Sequence, residues 1–130
     1  MQTRGMVTPD AIERDITLTS AAARYDELWV RDAVGESPLG REEVLEMLAL
    51  GEVIARKAVY GRQLAVRSAR RAGASWAQIG AATGVSKQAA WEAHGKWIDD
   101  QAEQHRHRDY QGLDEEQVAA ARRLAGRADE

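Results

Sequence analysis

Apolar residues recur along this chain at spacings of three and four, and no segment alternates apolar with polar over a strand's length between turn residues. Alanine, leucine, glutamate and arginine supply the spacing and are strong helix formers, so the pattern predicts an all-α fold. The two prolines stand where helices can begin, in Thr8-Pro9-Asp10 and Ser37-Pro38, each a cap followed by a first-turn proline. The predicted elements are a turn or short helix over 9–16, a helix from Ser20 to Val34 ended by Gly35, and a long helix from Pro38 or Gly40 to Ala72 ended by Gly73. A last helix runs from Asp114 to Gly126.

In the long helix Val44, Leu48, Ala55, Ala58, Val59, Ala65, Val66 and Ala69 form the apolar stripe, which predicts one buried face. Gly51 and Gly61 interrupt it, and each calls for a close helix approach, a kink or simple tolerance. Trp29 is expected in the core. The last helix opens with Asp114 and Gln117 in capping-box spacing and turns Val118, Ala121 and Leu124 to one side, as a docked closing helix or an interface element would. One helical domain over 1–130 follows, with 109–130 as a C-terminal helical extension.

Between these elements, Ser75 to Trp97 reads as helix, tight turn, helix. Ser75 and Gln78 have capping-box spacing, Gly84 stands where the chain must turn with positive φ, and Ser86 is a second cap. Val85 is expected to plug the angle between the helices, with Ala90, Ala93 and Trp97 turned inward against Ile79. Lys87, Gln88, Trp91 and Glu92 then flank that stripe or face away from it.

The stretch SWAQIGAATGVSKQAAWEAHGKW, with Ile79, Gly84, Val85, Ser86 and Ala90 as its framework, resembles the bacterial helix-turn-helix. The resemblance is to the form found in region 4 of sigma factors and in small actinobacterial regulators, and it covers about twenty-three residues. It departs from that pattern at Gly80, where alanine is common, and at Thr83, where a bulky apolar residue is common. The resemblance implies a second helix lying in the major groove of duplex DNA with its first residues at base edges.

Residue chemistry is consistent with that role. Gln88 suits adenine, Lys87 suits guanine or a phosphate, and Glu92 suits cytosine; Trp91 is placed for a base, a sugar or a neighbouring helix. Ser75, Gln78 and Ser86 at the helix starts, Lys96, and Arg67, Arg70 and Arg71 just ahead of the motif are expected on the DNA backbone. Charge is partitioned to match: net −6 over 1–54, +7 over 55–98 and −4 over 99–130, within an overall −3.

The remaining chemistry is sparse. With no cysteine there is neither a disulfide framework nor a thiolate zinc site. His94, His105 and His107 with Asp99, Asp100, Glu103 and Asp109 lack metal-site spacing, and no nucleophile or phosphate loop is recognisable, so no metal, cofactor or enzyme activity is expected. No signal peptide or membrane-length apolar run occurs, which gives the expectation of a cytoplasmic protein, nucleoid-associated when bound to DNA. The expected partners are double-stranded DNA and a second copy in a homodimer, since one motif has few base contacts. The competing expectation is a motif used to bind protein, such as RNA polymerase, a sigma factor or a regulatory partner.

Overall fold

A computed structural model describes residues 7–35, 37–108 and 110–130. Among them lie six helices and no strand: α1 (Pro9–Glu13), α2 (Leu18–Val34), α3 (Arg41–Arg71), α4 (Trp76–Thr83), α5 (Lys87–His107) and α6 (Glu115–Ala125). The fold is all-α. Asp109, first residue of the expected C-terminal extension and one of the acidic residues weighed as a metal ligand, lies outside the described residues.

Caps set the boundaries. Thr17 and Ser20 form a reciprocal capping box, which starts α2 at Leu18, two residues before the spacing predicts. Asp114 and Gln117 do the same for α6. α3 carries Glu42 and Glu43 in its first turn and Arg70 and Arg71 in its last, the arrangement that opposes its own dipole.

The chain packs as two units, 1–60 and 61–130, with the break inside α3. In the first, Ala21 and Leu28 of α2 meet Leu50 of α3, with Ile12, Ile16, Tyr25, Leu39, Met47 and Ile54 around them. Gly51 answers the need for close approach, since a Cβ there would lie 3.3 Å from the Tyr25 ring. Arg24 grips Glu46 through Nε at 2.9 Å and Nη2 at 3.0 Å, and Arg31 reaches Glu43 at 2.8 Å. Two expectations fail here. Trp29 is 50% exposed, its ring edge-on to Tyr25 and outside the core. The predicted stripe of α3 is not the buried face: Leu48 and Val59 are exposed, as are Ala55, Ala58 and Ala65. The helix buries Ala49, Leu50 and Val53 instead, and of the predicted stripe only Val66 is fully buried.

In the second unit, Val66 of α3 packs with Trp76 and Ile79 of α4, Ala90 and Ile98 of α5, and Ala121 and Ala125 of α6. The carbonyls that end α6 have no partner within the helix. Leu124 O accepts from Arg70 Nε at 3.2 Å, Ala125 O from Trp76 Nε1 at 2.7 Å and Gly126 O from Trp91 Nε1 at 2.8 Å. One side chain from each of α3, α4 and α5 thus closes the end of α6.

His94 fills the space beneath. Its ring lies 5.6 Å from that of Trp76 and stacks on Trp97 at 5.3 Å, and only 1% of its surface is exposed. Nδ1 donates to Gln63 Oε1 at 2.9 Å. Arg67 lies over the Trp97 ring and Arg70 over Trp76, at 5.6 and 5.0 Å. Burial first, and then these two cations, lower the imidazole pKa from 6.5 to about 4.

Two measurements test this packing. Above pH 6.5 the His94 ring is neutral whether the chain is folded or not, and between 6.5 and about 4 only the unfolded chain takes up the proton. Stability is therefore lost as pH falls through that window, by about 3 kcal/mol in all from this group. Urea unfolding from pH 7.5 to 4, with the imidazole followed by NMR, should give a titration midpoint near 4; a midpoint near 6.5 would place the ring in solvent.

Glycines supply the second test. A Cβ on Gly80 would meet Val85 O at 2.7 Å and backbone atoms of Ser86 and Lys87 at 3.0 Å, whereas one on Gly61 meets nothing within 4 Å. Gly80→Ala should cost about 1–3 kcal/mol in urea unfolding. Gly61→Ala, in a helix interior with open space, should gain about 0.5–1 kcal/mol.

Candidate nucleic-acid interface

α4 and α5 are joined by a turn whose every residue has a defined task. Ser75 Oγ accepts from Gln78 N at 3.1 Å while Gln78 Oε1 accepts from Ser75 N at 2.9 Å, which fixes the start of α4. At its end Gly84 adopts φ +76°, Val85 N donates to Gly80 O at 2.9 Å and Gly84 N to Ala81 O at 3.3 Å, closing the last carbonyls of the helix. Ser86 then caps α5, accepting from Ala89 N at 3.0 Å. Thr83, the polar residue where a bulky apolar one is common, donates its hydroxyl to Ile79 O at 2.8 Å and so needs no apolar cover.

The crossing of the two helices explains Gly80. Its missing Cβ lets α4 lie directly on the Val85–Lys87 backbone, so glycine here is a requirement and not merely tolerated. Ile79 and Ala90 are buried and Trp97 packs against the core, as the framework predicts. Val85 and Ala93 do not follow it. Val85 is 47% exposed because the close backbone approach at Gly80 leaves no angle to plug. Ala93 faces outward because α5 turns Ala90, His94 and Ile98 to the core, placing position 93 one step beyond that stripe.

The outward side of α5 carries Lys87, Gln88, Ala89, Glu92, Ala93 and Lys96, all exposed. Gln88 Nε2 donates to Glu92 Oε1 at 2.9 Å, which orients the amide and leaves its second N–H and its oxygen free. Ala89 and Ala93 make the surface shallow between the longer chains. Sequence reasoning passed over Ala89 and turned Ala93 inward; the outward phase shared by 89, 93 and 96 was the available signal. Trp91 does not belong to this face: half-buried, it is bonded to Gly126 O and packed against the core.

The cations divide in the same way. Arg71 and Lys96 are exposed and have no ion-pair partner among the described residues. Arg70 is spent inside the unit, since besides Leu124 O its Nη1 donates to Ala74 O at 2.9 Å and to Glu130 O at 3.3 Å. Arg67 lies on Trp97, with Nε buried and without a hydrogen-bond partner. Arg70 is thus committed to backbone carbonyls rather than turned outward as the sequence suggests, while Arg67 is half-buried against the Trp97 ring.

Among the described residues no group of three or more His, Asp or Glu side chains is arranged to hold a metal ion, and no helix is long and apolar enough to cross a membrane. No protein-family model matches the chain, and neither a curated protein nor a solved structure matches it.

Proposed function

We propose that residues 61–130 form a non-enzymatic module that binds duplex DNA sequence-specifically, with the first turns of α5 in the major groove, and that the protein is a cytoplasmic transcriptional regulator acting as a homodimer. The observation that carries this reading is the outward side of α5: Lys87, Gln88, Ala89, Glu92, Ala93 and Lys96 stand exposed on a helix whose other sides are packed, just after a Gly84 turn. Gln88 matches the paired donor and acceptor of adenine, Lys87 the acceptors of guanine, and Glu92 the cytosine amino group. Ala89 and Ala93 permit close approach and suit a thymine methyl. Ser75, Gln78 and Ser86 sit at helix starts, where free N–H groups and the positive dipole end attract phosphate, with Arg71 and Lys96 as added cations.

A second reading, docking of this motif on a protein such as a polymerase subunit, is favoured by one observation. Commitment of Arg70 to the carbonyls of Leu124, Ala74 and Glu130 reduces the positive face that the sequence promises.

Binding-site selection followed by titration separates the two. Gln88→Ala should change the selected sequence and weaken the cognate site by about 1–3 kcal/mol while leaving random duplex nearly unaffected. Joint replacement of Arg71 and Lys96 by alanine should weaken cognate and random DNA alike and lower the slope of log K against log salt by about 0.9 for each phosphate no longer neutralised. Wild-type protein that selects no sequence and shows no salt-dependent duplex binding would favour the protein partner.

A further inference from the structure

The 1–60 unit leaves a stripe of α3 uncovered. Arg41, Leu45, Leu48 and Glu52 follow one another at i, i+4, i+7 and i+11, and so lie along one line of the helix. That line is on the far side from Leu50 and its core. Leu45 is 47% and Leu48 62% exposed. Arg41 and Glu52 are exposed, and neither has an ion-pair partner among the described residues. The nearby charges Arg24, Arg31, Glu43 and Glu46 are already paired with one another across α2 and α3.

This order, cation, leucine, leucine, anion, is complementary to itself when turned end for end. We propose that a second copy of the chain covers the stripe, its α3 antiparallel to the first about a twofold axis between positions 46 and 47. Leu45 then meets the partner's Leu48, and Arg41 meets the partner's Glu52, each pairing occurring twice. A parallel arrangement would set Arg41 against its own copy and Glu52 against its own, so the charges select the antiparallel one. Self-complementarity under a twofold rotation is the mark of an isologous contact and points to a second copy over an unrelated partner.

The small core of the first unit argues the same way. Among the described residues its central cluster buries only Ala21, Leu28 and Leu50 fully, with Ala49 and Val53 also buried on α3. Units of this size gain stability by oligomerising. Covering Leu45 and Leu48 adds a second apolar layer to α3 without disturbing the first.

The inference deepens the homodimer reading above but does not depend on DNA. Sedimentation equilibrium of the full chain without DNA, up to roughly 100 μM, should show a mass near twice 14.3 kDa. Arg41→Glu alone or Glu52→Arg alone should weaken the dimer by about tenfold to a hundredfold, and the double exchange Arg41→Glu with Glu52→Arg should restore it. Leu45→Glu with Leu48→Glu should give a monomer with unchanged helical circular dichroism. A wild-type monomer at the highest concentration overturns the proposal. So does a dimer indifferent to the single reversals, or one that the double exchange fails to restore. A dimer with this response that ignores DNA leaves the interface standing and sinks the DNA reading, while a monomer that selects DNA does the reverse.

Discussion

Three successive carbonyls at the end of α6, those of Leu124, Ala125 and Gly126, each accept a hydrogen bond from a side chain of a different helix. The end of a helix normally sends these oxygens to water. Here the donors are Arg70 of α3, Trp76 of α4 and Trp91 of α5, so one helix terminus ties together every other helix of the 61–130 unit. The two indoles bring large apolar surfaces as well as their N–H groups, and Trp76 is wholly buried. Burying it with Ala125 O left unpaired would forfeit part of what that burial gains.

The same arrangement decides how the positive charge of the central segment is used. Arg67 and Arg70 stack on Trp97 and Trp76, on either side of a neutral His94. Their charge helps keep the imidazole unprotonated, and the flat rings spread their fields over polarizable surface. A net charge of +7 over 55–98 is thus partly structural. What remains exposed, Arg62 and Arg71 on α3 and Lys87 and Lys96 on α5, is fewer cations than the count implies.

The caps and the turn were legible in the sequence because each rests on a few adjacent residues whose chemistry is local: Ser75 with Gln78, Gly84, Ser86, Asp114 with Gln117. What was not legible depends on partners distant in sequence. α3 has apolar residues on two faces, and periodicity alone cannot say that Leu50 and Val53 are buried while Leu45 and Leu48 remain open. Trp91 falls at a phase that serves equally for a groove or a neighbour, and only the position of Gly126 O decides it. A tally of arginines likewise gives no directions. The inward phase of α5 was off by one position, His94 taking the place given to Ala93, because a histidine is not ordinarily counted as core.

That misplaced histidine and the tryptophan beside it also say how α5 is held. His94 and Ile98 anchor its inner side, Trp91 ties its flank to the end of α6, and Ser86 and the Gly80 crossing fix its first turn. Lys87, Gln88, Ala89, Glu92 and Ala93 are then presented by a helix restrained on three sides, so that little orientation needs to be paid for when a partner arrives. α6 contributes no residue to that outward face, yet it positions it, because the carbonyl that receives the Trp91 indole belongs to the residue just past its last turn. Any change that frays the end of α6 releases Trp91 and Trp76 together, and with them the flank of α5 and the packing of α4. The C-terminal helix therefore acts as the brace of the motif, and the surface proposed to read DNA depends on carbonyls about thirty-five residues away in sequence.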